Sequence, residues 1–515
     1  MSRYIIFLFT SFLLYAEPFK VGTYNVENLF DAVHNGTEYE EYAPGRHGWH
    51  RHMAQKKLDR AAEVICDLDA DLIGLQEIEN EAVFEALKER LSRVGCRYRY
   101  GAITHKRGAP IQLALLSRFP ILRSRELQVS YAPRVRNILE VEVRIDGTSL
   151  TLFVNHWKSK SRKGYESKRI AYAKALKERL EKMPGKKEYI ILGDLNSNYD
   201  AHLTLPKRLD DTNGRRALNH LLRTVEGKEL LDEEQVRKGA PFRHYDLWLE
   251  LPHKERWSHK FYGRKSTLDH ILLPPSMFDG RGVDYVNGSF SVFKPHYLFT
   301  SKGYINSWQI KGGRHTGKGY SDHLPIFALF DTAPYLPEKR VHRRRAINGT
   351  IEMLYARKSL DVPVLLKDAV VVLKRGQYAV IKQHPKGKGI FVYGAVRGLK
   401  EGLRYDLRVE EIGEYRGLKE ITAMVKLEEK GRVALTPFYA TLEVLRQNEV
   451  VRNLTGVYKK GYFYTRGKKL PIYFKNRKLT PKEGAKIKID VAHIGYYKRV
   501  QLVVYSHKDF TILEN

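Results

Sequence analysis

Between residues 19 and 331 the chain is a succession of short apolar runs, each the length of one strand, and most of them stop abruptly at an acid, an amide or an imidazole. "FKVGTYNV" (19–26), "DLIGLQE" (71–77), "IQLALLS" (111–117), "ILEVEVRI" (138–145), "SLTLFVNH" (149–156), "EYIILGD" (188–194), "STLDHILL" (266–273) and "LPIFALF" (324–330) read as strands. Helical spacing is clear in "MAQKKLDRAAEVICDL" (53–68), through Leu58, Ala61, Ala62 and Ile65. It recurs in "YESKRIAYAKALKERL" (165–180), through Ile170, Ala173, Leu176 and Leu180. So many strands with so few long helices predict two packed sheets with helices outside.

The run ends carry the chemistry. In "ILGDLNSN" (191–198) Asp194 and Asn196 lean to the same side if the extended geometry continues. Taken alone they read as turn residues. But Asn25 ends the first run, Glu77 the second, and Asn155 and His156 a later one. Asp269 sits in "STLDHILL", and Asp322 and His323 precede the last run in "GYSDHLP". A series of turns would not call for this mix of Asn, Glu, His and Asp.

The ordered motifs "YNVENLF", "LQEIEN", "LLSRFP", "NHWKS", "GDLNSN", "STLDHIL" and "YSDHLP" resemble the endonuclease/exonuclease/phosphatase superfamily, including an exported bacterial branch of deoxyribonuclease-like members. The resemblance covers about residues 19–331 and implies an α/β fold, a four-layer sandwich with its active site at one edge of the two sheets. It implies a metal-dependent phosphodiesterase. Glu77 and Asp322 would ligate a divalent metal that Asn25 helps to orient, with Mg²⁺ expected and Mn²⁺ or Ca²⁺ as alternatives. Asp194 would orient or deprotonate the attacking water, and Asn196 would donate to developing negative charge. Asp269 would fix the tautomer of His323. His156 would contact the phosphate and protonate the leaving group. Arg136, Lys158 and Asn155 are candidates for flanking contacts with substrate.

Charge narrows the partner. The 515 residues carry a net +31. Residues 341–515 hold 36 Lys and Arg against 17 Asp and Glu, a net of +19, which leaves +12 for the first 340. That excess points to a polyanion, with DNA or RNA as the expected substrate. A phosphodiesterase of phospholipid or sugar-phosphate headgroups, similar to a sphingomyelinase, is the alternative. A non-catalytic binding protein would need a broken site, and none of these positions is broken.

The expected organisation is a signal peptide over 1–16, a catalytic domain over 17–331, a basic linker over 332–350, and an all-β tail. The first segment has a basic Arg3, an apolar run from 4 to 14 and Ala16 before the cleavage point, which predicts export to a periplasm or beyond. No later run is long enough to span a bilayer as a helix, and a monomer is expected. The tail contains a faint repeat at an offset of 82 residues, pairing Lys400-Glu401-Gly402 with Lys482-Glu483-Gly484 and Tyr415 with Tyr497. It predicts two small β-domains, 351–430 and 431–515, similar to OB-folds, or else one irregular β-domain. Aromatic and basic residues interleave over 457–478, as in single-strand binders. Cys66 and Cys96 could pair in an exported protein.

Overall fold

A computed structural model describes residues 18–332 and 346–513, apart from 133, 162, 184–187, 262, 361, 397 and 444. The expected signal peptide and most of the expected linker lie outside the described residues. The chain divides into two compact units, Met1–His342 and Arg343–Asn515.

The first unit is built on two sheets. One contains β1 (Phe19–Leu29), β2 (Leu72–Ile78), β3 (Tyr100–Ile103) and β4 (Gln112–Ser117). The other contains β5 (Ile121–Leu127), β6 (Ile138–Ile145), β7 (Thr148–His156) and β8 (Tyr189–Asp194), joined by β9 (Tyr245–Asp246). A hairpin of β10 (His259–Phe261) and β11 (Arg264–Ser266) leads into β12 (Asp269–Leu273), which belongs to the second sheet. Strands β13 (Asp284–Tyr285), β14 (Ser291–Val292) and β15 (Ile326–Asp331) return to the first. The sheet orders are β13-β15-β1-β2-β4-β3, with β14 also on β15, and β9-β12-β8-β7-β6-β5.

Leu75, Val154 and Leu192 belong to the shared apolar core. A side chain on Gly74 would run into Leu192 and Val154, so glycine here lets the layers approach. Helix α1 (Arg51–Leu68) adds Leu58, Ala61, Ala62 and Ile65 to that core, and α2 (Glu81–Arg93) adds Phe84 and Leu87. The Asn80 side chain caps α2 by accepting from the Val83 N–H. Helix α3 (Glu166–Glu181) covers the outer face of the second sheet with Tyr172, Ala173 and Leu176 against Phe153 and Ile191. Four layers result, as the alternation predicts. Cys66 of α1 is joined to Cys96 by a disulfide with Cα atoms 5.6 Å apart.

The second unit repeats one design. Its first barrel closes β17 (Val364–Arg375), β18 (Tyr378–Lys382), β19 (Gly389–Tyr393), β21 (Leu418–Arg432) and β20 (Leu403–Tyr415) in that spatial order, with β20 back on β17. A short β16 (Ile347–Gly349) pairs parallel with β17, although its residues fall in the linker expected from the sequence. The second barrel closes β22 (Val450–Lys459), β23 (Tyr462–Thr465), β24 (Lys468–Phe474), β26 (Arg499–Val504) and β25 (Lys486–Tyr497) in the same order, with β25 back on β22 and β27 (Phe510–Ile512) on β25. The faint sequence repeat is therefore a repeat of topology. Its two Lys-Glu-Gly turns enter β20 and β25, and both glycines need positive φ, 83° at Gly402 and 78° at Gly484. In the 457–478 stretch strand alternation divides the rings. Phe463 and Phe474 fill the barrel core, while Tyr464 and Tyr473 face outwards.

Candidate active site

Strand register assembles half of the site. β7 runs parallel to β8 with His156 opposite Asp194, and β12 runs antiparallel to β8 with Asp269 opposite Asp194. Residues abreast in a sheet point to the same face. His156, Asp194 and Asp269 thus form a row across three strand ends. Gly193 has φ 121°, and a side chain there would strike the Asn155 backbone.

The other sheet supplies Asn25 and Glu77. β1 and β2 are parallel, and the β2 register shifts between Gln76 and Ile78. Glu77 occupies this bulge with φ 68°, a left-handed conformation rare for Glu and of the kind found at functional sites. The bulge turns its carboxylate towards Asn25, whose amide donates to Glu77 Oε1 at 3.1 Å and to Asp194 Oδ2 at 3.2 Å. One amide therefore stitches the two sheets together at their shared edge. The Asn28 N–H holds the other Glu77 oxygen at 2.9 Å.

The loop before β15 completes the cluster. Ser321 donates to the Asn25 carbonyl at 2.7 Å and accepts from the His323 N–H at 3.0 Å. His323 Nδ1 lies 2.8 Å from Asp269 Oδ2, and its Nε2 lies 3.9 Å from Asp194 Oδ2. Asn196 donates its backbone N–H to Asp194 Oδ1 at 2.8 Å and its amide to Oδ2 at 3.0 Å. His156 Nε2 stands 3.5 Å from Asp194 and 3.6 Å from Glu77, too long for good hydrogen bonds.

Burial and crowding set the charges. Burial pushes the Asp194 carboxyl up to about 7; Asp269 and Glu77 add to this, and His323 opposes it. Glu77 is also raised, first by burial and then by Asp322. Burial works against a charged His323, but Asp269, Asp322 and Asp194 raise it well above the usual histidine range. Burial, then Arg136, holds His156 well below it. Asp322 is brought down to about 2 against the cost of burial, chiefly by His323 and His259. At neutral pH a neutral His156 and a cationic His323 therefore stand beside four gathered acids, Glu77, Asp194, Asp269 and Asp322.

The donor set fits a hard divalent cation. Glu77, Asn25 and Asp322 offer oxygen ligands, and the Asp322 charge adds to burial in raising Glu77, a repulsion that a bound cation would relieve. His259, Asp322 and His323 also lie close enough, within 4.8 Å, to suggest a metal group. Protonated His323 has no lone pair to give, so the oxygen donors are the better set.

Most of the sequence-derived residues meet here, with differences at the edges. Asn155 does not: alternation puts it on the face opposite His156. It is fully buried, its amide donates to the Phe153 and Leu192 carbonyls, and its oxygen accepts from the Trp157 indole. It secures the end of β7, and the expected substrate contact is corrected. Arg136 donates to the His156 and Trp157 carbonyls at 3.0 and 2.8 Å, which fixes a cation beside the site. Lys158 lies over the Tyr165 ring at 5.7 Å.

Sequence reasoning missed His259. It bridges to His323 through the backbone, its ring lies 4.9 Å from the His323 ring, and its Nε2 is 3.6 Å from Asp322. No local signal marks it: it reaches the site through a hairpin that precedes "STLDH" and is seen only in the strand pairing. Glu27 and Lys57 were missed as well. Lys57 is buried and donates to the Tyr320 carbonyl at 2.7 Å, and burial raises Glu27 to about 8.

Clustered carboxylates, amides and imidazoles at the common edge of two packed sheets are the residue types that hydrolysis of a phosphate ester calls for. The family model described as the endonuclease/exonuclease/phosphatase family matches residues 20–332, and the chain belongs to that family, whose members are typically metal-dependent phosphodiesterases. Among solved structures, it is similar to D. rerio TDP2 complexed with single-strand DNA product (17% identity, 62% of this chain and 100% of that one, TM-score 0.37). It is also similar to a family protein from Leptotrichia buccalis (13%, 60% and 98%, TM-score 0.37) and to SmcL (17%, 61% and 99%, TM-score 0.36). No curated protein matches it.

Proposed function

We propose that the chain is an exported, metal-dependent nuclease that hydrolyses DNA or RNA without sequence preference. The observation that carries the chemistry is the row His156, Asp194, Asp269 faced by His323 and Glu77. Asp194, poised near neutrality, takes a proton from the attacking water. Two donors on Asn196 hold its carboxylate in place. His323, kept cationic and oriented by Asp269, faces the negative charge that develops on the phosphoryl oxygens. His156, held neutral, offers the phosphate a hydrogen bond, and the leaving oxygen takes a proton from solvent as its bond to phosphorus breaks. Glu77 and Asp322, with Asn25 beside them, would hold the divalent cation. When bound, it would neutralise phosphate charge and lower the cost of activating water.

The choice of nucleic acid rests on the net charge of +31, and the choice of export on the N-terminal apolar run. Mature protein offered plasmid DNA, single-stranded DNA, RNA and sphingomyelin is expected to cut nucleic acid. Hydrolysis of sphingomyelin alone would assign the same site to lipid headgroups and contradict the proposal.

A further inference from the structure

A second concave surface lies far along the sequence from the catalytic residues, inside the C-terminal unit. A cleft of about 640 Å³ opens between its two barrels. The same parts of each repeat line it. From the first barrel come Phe391 and Tyr393 of β19 and the β20–β21 turn around Tyr415 and Arg416. From the second come Tyr473 of β24 and the β25–β26 turn around Tyr497. The 82-residue offset pairs Phe391 with Tyr473 and Tyr415 with Tyr497, so both halves present equivalent aromatic surfaces.

The floor of the cleft is already packed. Phe391 and His493 stack at 4.9 Å with planes 1° apart, and Tyr378 stacks on Phe391 at 5.8 Å. Burial drives the His493 imidazole down to about 3, and its ring nitrogens meet the Tyr505 hydroxyl at 2.9 Å and Asn448 at 3.2 Å. Gly417, with φ 89°, lets the β20–β21 turn press against Tyr496, where any side chain would collide.

The rim differs. Tyr393, Tyr415, Tyr473 and Tyr497 remain 45%, 60%, 48% and 45% exposed. Large rings left in water around a concavity are a cost unless something covers them. Cations stand among them. The Arg416 guanidinium lies 5.0 Å from the Tyr497 ring and 5.4 Å from Tyr415, joining the two barrels, and Lys475 lies 4.9 Å from the Tyr378 ring. Among the described lining residues the only acid is Glu420.

We propose that this cleft binds single-stranded nucleic acid, with unpaired bases stacked on Tyr393, Tyr415, Tyr473 and Tyr497 and the phosphates drawn to Arg416 and Lys475. Exposed π-faces with interleaved cations match a strand whose bases are unstacked and whose backbone is anionic. A duplex keeps its base faces covered and has nothing to place on the rings. A neutral glycan would use the rings but not the charges, and the +19 of residues 341–515 favours the polyanion. The site deepens the nuclease reading and rests on it for the choice of polyanion, but binding and hydrolysis are separable.

The test uses the full mature chain in EDTA. Fluorescein-labelled oligo-dT and a labelled duplex of the same length are titrated by anisotropy. The single strand is expected to bind at least tenfold more tightly. Tyr473→Ala and Tyr497→Ala should each weaken it about tenfold, the scale of one missing stacked base, while Tyr497→Phe keeps the affinity. Arg416→Ala should flatten the slope of log K against log salt by about the amount expected for one phosphate. Each variant's thermal unfolding is checked against wild type. Ultraviolet cross-linking of a bromouracil oligonucleotide to the unmodified chain, mapped to the peptides carrying these tyrosines, gives the same answer without any substitution. Undiminished affinity in both alanine variants, or cross-links confined to other peptides, overturns the proposal. Hydrolysis of bis(p-nitrophenyl) phosphate with Mg²⁺ is the separate readout. It should be unchanged in the tyrosine variants, and its absence in wild type would sink the nuclease reading while leaving the cleft result standing.

Discussion

At neutral pH Asp194 sits near its own midpoint, because burial lifts its carboxyl from 3.8 to about 7. Between those values the folded state keeps a proton that the unfolded state has lost, so stability falls as pH rises through that window and levels off above it. Asp194→Asn removes that penalty. In EDTA its unfolding free energy should match wild type near pH 4 and exceed it by a few kcal/mol at pH 8, measured by chemical denaturation at both pH values. The same variant should lose at least about a hundredfold in kcat, the scale of a missing proton acceptor. His323 has the same sign. Its raised folded pKa gives stability that is fully present below pH 6.5 and is lost as pH rises from there through the folded pKa. His323→Ala should be less stable than wild type at pH 5 and should also lose about a hundredfold in turnover, measured in the same assay. A gain in stability with loss of activity at Asp194 would mark a residue kept for chemistry at the expense of the fold.

Elements carry these residues to the edge, and their framework can be tested as well. Arg169 and Glu166 of α3 are both fully buried and paired at 2.6 Å. Arg169 also donates to the Lys158 carbonyl at 2.9 Å, and Glu166 accepts from the Ala217 N–H at 2.7 Å. Arg169→Met would strand the Glu166 charge and should destabilise the first unit by about 3–5 kcal/mol, read from its urea transition. Elements are the most legible level of the sequence. Strand β6 falls on residues 138–145 as its apolar alternation predicts, and α1 starts only two residues before its expected first turn. Period and run length are local, so the chain states them directly. Register is not local, and neither is anything that depends on it. Alternation places Asn155 and His156 on opposite faces, yet only the neighbours of β7 decide which face is the site. His259 reaches the site through a hairpin whose pairing no single segment announces. Helix α2 has good periodicity in Val83, Phe84, Leu87 and Leu91, but it follows the "LQEIEN" motif so closely that the motif masks its start. The short β16 falls within the expected linker because three residues carry no period.

At the scale of the molecule, two units divide the work in the reading proposed here. Residues 17–340 alone should still hydrolyse short oligonucleotides, because the whole catalytic cluster lies within them. On long DNA the truncation should show a raised KM and a flatter dependence of log K on log salt, with a slope change of about 0.9 for each phosphate that the tail no longer neutralises. A salt series on both forms checks this. The central claim, that a metal-dependent phosphodiesterase site is built at the shared edge of two sheets, has a more direct test. The mature chain is freed of metal with EDTA, its hydrolysis of bis(p-nitrophenyl) phosphate is followed, and Mg²⁺ or Mn²⁺ in excess is then added back, with Glu77→Gln run in parallel. The account predicts no turnover in EDTA, recovery on adding metal, and little recovery in the variant. Full turnover in EDTA, or a variant that recovers like wild type, would contradict it.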